Sequence, residues 1–421
     1  MSQQRLIIFA AVAAAALTVA VSCPAASAAP AVAASATLTT GLSVDLQHVA
    51  MGNVALLSTA VGRAAVAQAI ATAPEQAVVA GLSARQLAGQ RVIFSYSGLT
   101  PPASLLTLIR NGEAGGVLFF GPNYASKSQF ARAVAKLNAA NRAATNPARG
   151  YPLLLMTDQE GGLVKRLPGA PHQSEKQIGA IKPLSSAETA ARTAGRGAAS
   201  TLRGFGLNVN LAPVLDIYRT PGDFDDQFQR SYSQSKTVVS DLGAVFITAQ
   251  QFHGVAATAK HFPGLGPASA EQNTDERPVT ITTSAATLWT KDEYPYRAAI
   301  AAGVKLVMVS WAAYPSLGST RPAGLSSAIV QGQLRNRLGF TGVTITDSIG
   351  AGALSHYGSV RNRALLAAKA GMQLILSTGS PSTGVSVTGG LLSGYRDGKL
   401  SKATFQAAVT QILALRAGLA S

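Results

Sequence analysis

Eight short apolar runs, most of them followed by a stretch of helical periodicity, constrain this chain more than any other feature. The strand candidates are residues 91–96, 116–120, 153–158, 209–217, 257–262, 306–310, 343–347 and 374–377. Helical patterns lie among them at 128–144, 187–204, 236–252, 285–302, 326–338 and 360–370, and a closing helix is expected at 402–417. Alternation of this kind covers both faces of a parallel sheet with helices. Eight repeats in about 340 residues are enough to close the sheet into an α/β fold of the (β/α)8, TIM-type barrel class. An open doubly wound sheet is the alternative, but no Gly-rich dinucleotide fingerprint follows the first strand candidate. The barrel is assigned to residues 81–421 as a single domain, because the closing helix leaves no room for a second large one.

The rest of the chain reads as an address and a tether. Residues 1–28 have the form of an export signal, with Arg5 in the charged part and an apolar stretch at 6–21 too short to prefer spanning a bilayer. Two cleavage sites compete. Ala26-Ser27-Ala28 would give soluble secretion, whereas Ala20-Val21-Ser22-Cys23 resembles a lipoprotein box whose cysteine would carry the lipid. Either way the protein is expected outside the cell, secreted or held at the outer face of the membrane or wall. Cys23 is the only cysteine, so no disulfide framework supports the fold. Residues 29–80 are low in complexity and read as a tether, with a helix near 64–73.

Composition narrows the partners. At 421 residues, 47% hydrophobic and 13% charged, the chain can bury a large core. Its net charge of +16 comes from having only 19 acids, and the bases are scattered. A dispersed charge argues against a nucleic-acid arm and fits attraction to an anionic wall or membrane surface. No metal-ligand cluster, phosphate loop or nicotinamide fingerprint is present in the sequence, so no metal and no cofactor are expected. A monomer is expected.

Polar residues recur where the apolar runs end: Asp158, Asp216, Lys260-His261, Ser310 and Asp347. A buried strand has no packing reason to finish repeatedly in a charge. Any one such Asp could be a helix N-cap. As a set they would converge on the mouth of a parallel barrel, where active sites form.

These residues sit in strings that resemble the family 3 glycoside hydrolases, and within them the single-domain β-N-acetylhexosaminidases that act on cell-wall muropeptides and related N-acetylglucosamine conjugates. The strings are Asp158-Gln159-Glu160-Gly161-Gly162 with Val164 and Arg166, Leu211-Ala212-Pro213-Val214-Leu215-Asp216, Arg230-Ser231-Tyr232, Lys260-His261-Phe262-Pro263-Gly264 and Thr346-Asp347-Ser348. The resemblance runs from about Leu82 to Ala417. It implies a retaining glycosidase with Asp347 as nucleophile, trapping an oxocarbenium-like centre as a glycosyl-enzyme. It also implies that Asp158, Arg230, Lys260, His261 and Asp216 hold the sugar. The expected partner is a carbohydrate, a cell-wall glycan or muropeptide-like molecule.

The chain departs from the family pattern in three places, one of them Leu163, which replaces a basic residue that often follows the Gly-Gly pair. The family's general acid/base is a His in the loop after Lys-His-Phe-Pro-Gly, paired with an Asp two residues earlier. Here residues 266–278 hold no histidine, and Asn273 and Asp275 stand at the dyad positions. Asp275 is therefore the candidate acid/base, with Glu276 as its alternative and Glu271 as a further carboxyl of the same loop; a desolvated carboxyl can donate a proton once its pKa is raised. Trp311 stands where the family usually carries a His, and it either stacks on a sugar or packs against the neighbouring strand. Three readings remain open: an active hydrolase using a carboxyl acid, a weakened enzyme or transglycosylase, and a non-catalytic binder of wall glycan.

Overall fold

The computed structural model describes residues 72–419, together with a small antiparallel ladder of Ser35–Thr37 on Ser43–Asp45. The export signal, Cys23 and nearly all of the expected helix at 64–73 lie outside the described residues.

Parallel strands close into an eight-membered barrel. They are β1 (Val92–Phe94), β2 (Gly116–Leu118), β3 (Leu154–Thr157), β4 (Val209–Asn210), β5 (Ala256–Phe262), β6 (Leu306–Val309), β7 (Val343–Ser348) and β8 (Leu374–Leu376). Neighbours follow chain order, and β8 closes on β1 through Ile375 opposite Val92. Helices α1 (Ala103–Arg110), α2 (Lys127–Asn141), α3 (Leu184–Gly204), α4 (Lys236–Phe252) and α5 (Tyr294–Ala301) follow the first five strands. A π-helical segment, Ala328–Arg337, follows β6, and α6 (Val360–Ala370) and α7 (Pro381–Arg396) follow the last two. The (β/α)8 barrel expected from the sequence is the fold observed.

Two apolar layers hold it together. Ile93, Leu118, Met156, Leu306, Met308 and Ile345 fill the barrel, and Ile412 of α8 (Lys402–Ala417) packs into the same cluster. The opposite faces of the strands pack under the helices, with Phe94, Phe119, Phe246, Val307 and Ile375 among the buried residues. Burying one such side chain contributes roughly 1.5–3 kcal/mol. At the foot of the barrel the fully buried Arg416 donates to the carbonyls of Pro152 (2.7 Å) and Tyr151 (2.9 Å), locking α8 in place.

Several boundaries differ from the expected ones for identifiable reasons. β4 pairs regularly only over Val209–Asn210 because Pro213 has no N–H to give the ladder. The chain beyond it stays extended and touches β5 again at Val214 opposite Lys260. The single helix expected at 285–302 is three pieces, Ala285–Thr287, a π-type turn Leu288–Asp292, and α5, with Pro295 at the start of the last. The sequence pattern missed α1, whose apolar face of Leu105 and Ile109 spans only eight residues, and α7, whose apolar face is interrupted by Gly and Ser. A further helix, which the sequence pattern did not anticipate, runs from Ala73 to Gly81 and packs against α8.

Candidate active site

All the marked strand ends lie at one mouth, and the charged groups there form a connected chain. Lys260 lies two residues before the end of β5 and is 2% exposed. Its Nζ lies 2.8 Å from Asp158 at the end of β3 and 2.8 Å from Glu160. Arg230 grips Glu160 with two bonds, Nε to Oε2 at 2.9 Å and Nη2 to Oε1 at 3.0 Å. Its Nη1 reaches Asp225 at 2.7 Å, and Nη2 stands 3.3 Å from His261 Nε2. Bidentate contacts of this kind fix the guanidinium plane as well as its position.

Asp216 anchors the floor. Its carboxylate accepts from His261 Nδ1 (2.7 Å), the His261 amide (3.1 Å) and the Leu265 amide (2.5 Å). The ring is thus held with Nδ1 protonated and Nε2 turned toward Arg230. Burial and the charge of Arg230 push His261 down to about 4, so the imidazole is neutral at ordinary pH. Burial raises the Asp158 carboxyl, but Lys260, Arg166 and Arg230 outweigh it and hold the group below the usual range. Lys260 shows the mirror image: burial lowers it, and Asp158 with Glu160 raise it further, so it stays charged.

The Lys-His-Phe-Pro-Gly loop is fixed from behind. Gly264 has φ +133°, and a Cβ there would stand 2.7 Å from the Cβ of Asp292. Tyr314 donates its hydroxyl to the Gly264 carbonyl at 2.9 Å, and Arg219 clamps both oxygens of Asp292 at 2.7 and 2.6 Å.

Asp347 lies near the end of β7, half-buried. The Ser348 amide donates to its Oδ1 at 2.6 Å. Ser348 is itself held on two sides, its carbonyl by the Trp311 indole N–H (2.8 Å) and its hydroxyl by Thr378 beyond β8 (2.6 Å). Across the mouth, the 273–276 loop is tied to the segment following Asp347. Gly352 N–H donates to the Asp275 carbonyl at 2.7 Å and Ala353 N–H to the Thr274 carbonyl at 3.0 Å. A Cβ on Gly352 would stand 2.0 Å from the Glu276 carbonyl oxygen, so only glycine allows this approach. Loss of water contact raises Asp347, as does the charge of Asp275; His261, the Ser348 amide and Lys260 pull it back. Asp275 stands exposed at the rim of the mouth, where neighbouring atoms still strip part of its water and raise it, Arg230 lowers it, and Asp158 and Glu276 raise it again. A carboxyl raised by a neighbouring carboxylate in this way is the more easily protonated at the expense of that charge.

Three expected site residues have other roles in this geometry. Asp216 is fully buried with both oxygens occupied, so it positions His261 and the loop and does not reach a sugar. Trp311 is 1% exposed and packed where a Cβ on Gly324 would come within 2.5 Å of its ring, leaving no face for stacking. Of the two roles considered for it, packing is the one observed. Glu276 turns outward, 62% exposed beside Arg277. Asp158, Arg230, Lys260 and His261 are brought together, and Asp275 and Asp347 interact across the same mouth.

The sequence reading missed Glu160 and Asp225. Glu160 had a signal: it is two residues from Asp158 in extended chain, which puts both side chains on one side. Asp225 sits in a helical turn, Phe224–Gln227, inside a long loop and had none. Asp216, Asp225 and His261 bring ligand-type atoms within 4.8 Å of one another, a cluster not legible from spacing. Arg230 already supplies positive charge against Asp225 and His261, which disfavours a cation there.

Comparisons with known proteins agree with this architecture. The model of the glycosyl hydrolase family 3 N-terminal domain matches residues 84–415. An uncharacterized secreted glycosyl hydrolase of Arthroderma benhamiae is 44% identical over 336 residues, 79% of this chain and 93% of that protein. A beta-hexosaminidase of Xanthomonas euvesicatoria is 34% identical, covering 64% of this chain and 77% of the relative. Among solved structures, a family 3 beta-N-acetylglucosaminidase from Paenibacillus is similar with a TM-score of 0.74 and 32% identity. That match covers 81% of this chain but only 64% of the Paenibacillus chain. A beta-N-acetylhexosaminidase from Beutenbergia cavernae matches at TM-score 0.70 and 30% identity, covering 80% of this chain and 98% of that one. The chain therefore belongs to glycoside hydrolase family 3, as a glycosidase of the hexosaminidase-like kind built on that family's N-terminal barrel domain.

Proposed function

We propose that the protein is an exported, retaining exo-glycosidase that removes terminal β-linked N-acetylglucosamine, or a closely related β-sugar, from cell-wall glycans. Asp347 attacks the anomeric carbon while Asp275 protonates the departing oxygen; the bond to the aglycone breaks as the glycosyl–Asp347 ester forms. Asp275, now ionised, takes a proton from water, which attacks the same carbon, releases the sugar and restores both carboxyls. Asp158, Lys260 and Arg230 hold the sugar hydroxyls by charge-assisted bonds, and neutral His261 offers a further polar contact.

The observation that carries this reading is the pairing of Asp275 with Asp347 through a loop fastened by Gly352 and Ala353. The Ser348 amide donates to Asp347 and favours its ionised form, while Asp275 is raised on balance despite Arg230, which fits a proton held there. The test compares an aryl β-N-acetylglucosaminide with an aryl β-glucoside. Turnover of the first above the second, abolished by Asp347→Ala, is expected. Activity persisting in Asp347→Ala would refute the nucleophile.

The absence of histidine from residues 266–278 favours a second reading, a weakened family member that binds wall glycan or acts as a transglycosylase. In that case neither aryl glycoside is hydrolysed, while glycan binding or sugar transfer to an acceptor persists.

A further inference from the structure

Exposed bases occur at both ends of the barrel, Lys127, Lys182, Arg277, Arg321 and Arg361 among those toward the mouth, but those at the foot stand among few acids. Each helix runs back from the mouth, so helix C-termini and the turns leading into the strands form the foot. Exposed bases stand in the last turns there: Arg110 of α1, Arg203 of α3, Lys369 of α6 and Arg396 of α7. One base at a helix C-terminus is explained by the helix dipole. The exposed Arg149 and Lys305 lie outside any helix, in turns entering β3 and β6, and the dipole does not explain them. Among the described residues, the acids in these turns are Glu113, paired with Arg85 at 2.8 Å, and Asp397, paired with Lys399 at 3.3 Å. The mouth carries Asp158, Asp275 and Asp347 together with Lys260 and Arg230, so its charge is mixed, whereas the foot offers bases with few acids between them.

Two further features point to what this face meets. Phe252, the last residue of α4, is 85% exposed. It adjoins His253, which with Arg196, Ser200 and Arg203 lines a cleft of about 340 Å³ free of carboxylates. An exposed aromatic ring beside arginines suits a bilayer interface, where the ring enters the headgroup layer and the bases meet anionic lipid. The chain also enters the barrel unit here. Its first described helix, Ala73–Gly81, packs on α8, which closes the foot, and the export signal with Cys23 lies upstream.

We propose that the foot is a docking surface for an anionic phospholipid bilayer, holding the mouth away from the membrane and toward glycan. The choice of a membrane rests on the export reading; the surface stands apart from the glycosidase reading. The test is co-sedimentation of the unlipidated full chain with phosphatidylcholine vesicles, with and without 30% phosphatidylglycerol, at low and high salt. Aryl-glycoside turnover and melting temperature are followed in parallel.

Binding only to the anionic vesicles, released by salt, is expected. Each base near such a surface contributes roughly fivefold, so Arg203→Glu, Lys369→Glu and Arg396→Glu together should weaken binding on the order of a hundredfold. Phe252→Ser should weaken it severalfold, and serves as the folded control if the triple variant melts early. Turnover should be unchanged in both. Equal binding to neutral and anionic vesicles would overturn the proposal. So would capture by a soluble phosphodiester wall polymer without binding to anionic vesicles, or undiminished binding by folded variants.

Discussion

Asp275 carries most of the chemical weight at the scale of single residues. If it is the proton donor, Asp275→Asn should lower turnover of substrates with poor leaving groups by about 10²–10⁴-fold, while activated aryl glycosides lose much less in the first step. Azide should rescue the activated substrates by replacing water as the second nucleophile. Uniform loss across leaving groups would point to a structural fault instead. Glu276→Gln should leave both kinds of substrate nearly unchanged, since that side chain faces solvent. Trp311 acts through Ser348. Trp311→Phe keeps an aromatic side chain but removes the N–H that holds the Ser348 carbonyl and part of a fully buried ring system, a combined loss of about 2–4 kcal/mol. Because Ser348 orients Asp347, kcat should fall about tenfold with KM unchanged. A raised KM with unchanged kcat would contradict that role.

At the scale of elements, the loop after β5 shows how one glycine sets a site. Gly264→Ala places a Cβ against Asp292 at φ +133° and should destabilise the fold by about 1–3 kcal/mol, read by urea unfolding. The same elements mark the limits of sequence reading. β5 and β7 were legible because apolar runs end abruptly in Lys260 and Asp347. The brevity of β4 was not, since its ladder is lost at Pro213 while its sequence remains apolar. Asp216 was found but its task was not: a strand-end Asp looks alike whether it meets a sugar or three protein donors. Trp311 was ambiguous for a similar reason, because its packing partner Gly324 lies in another loop and is brought to it only by folding.

For the whole molecule, charge differs along the barrel axis, with carboxylates and bases interleaved at the mouth and exposed bases among few acids at the foot. The buried centre also sets a pH response. His261 is held near 4 against about 6.5 in an unfolded chain. The folded state therefore binds fewer protons between these values. The stabilisation from neutral His261 is complete above about pH 6.5 and is lost as pH falls toward 4. Wild type should lose more stability than His261→Gln across that window, and an NMR titration should find the His261 ring still neutral at pH 5. A ring that titrates near 6.5 would contradict the buried, Arg230-flanked setting. The central claim is that Asp347 and Asp275 divide nucleophile and acid/base roles across a mouth fixed by the 273–276 loop. Its most direct test is mass spectrometry of Asp275→Asn quenched during turnover of an activated aryl β-N-acetylglucosaminide. Loss of the base should let the glycosyl-enzyme accumulate, with one sugar on the peptide carrying Asp347. Hydrolysis without any adduct, or an adduct on another residue, would contradict the account.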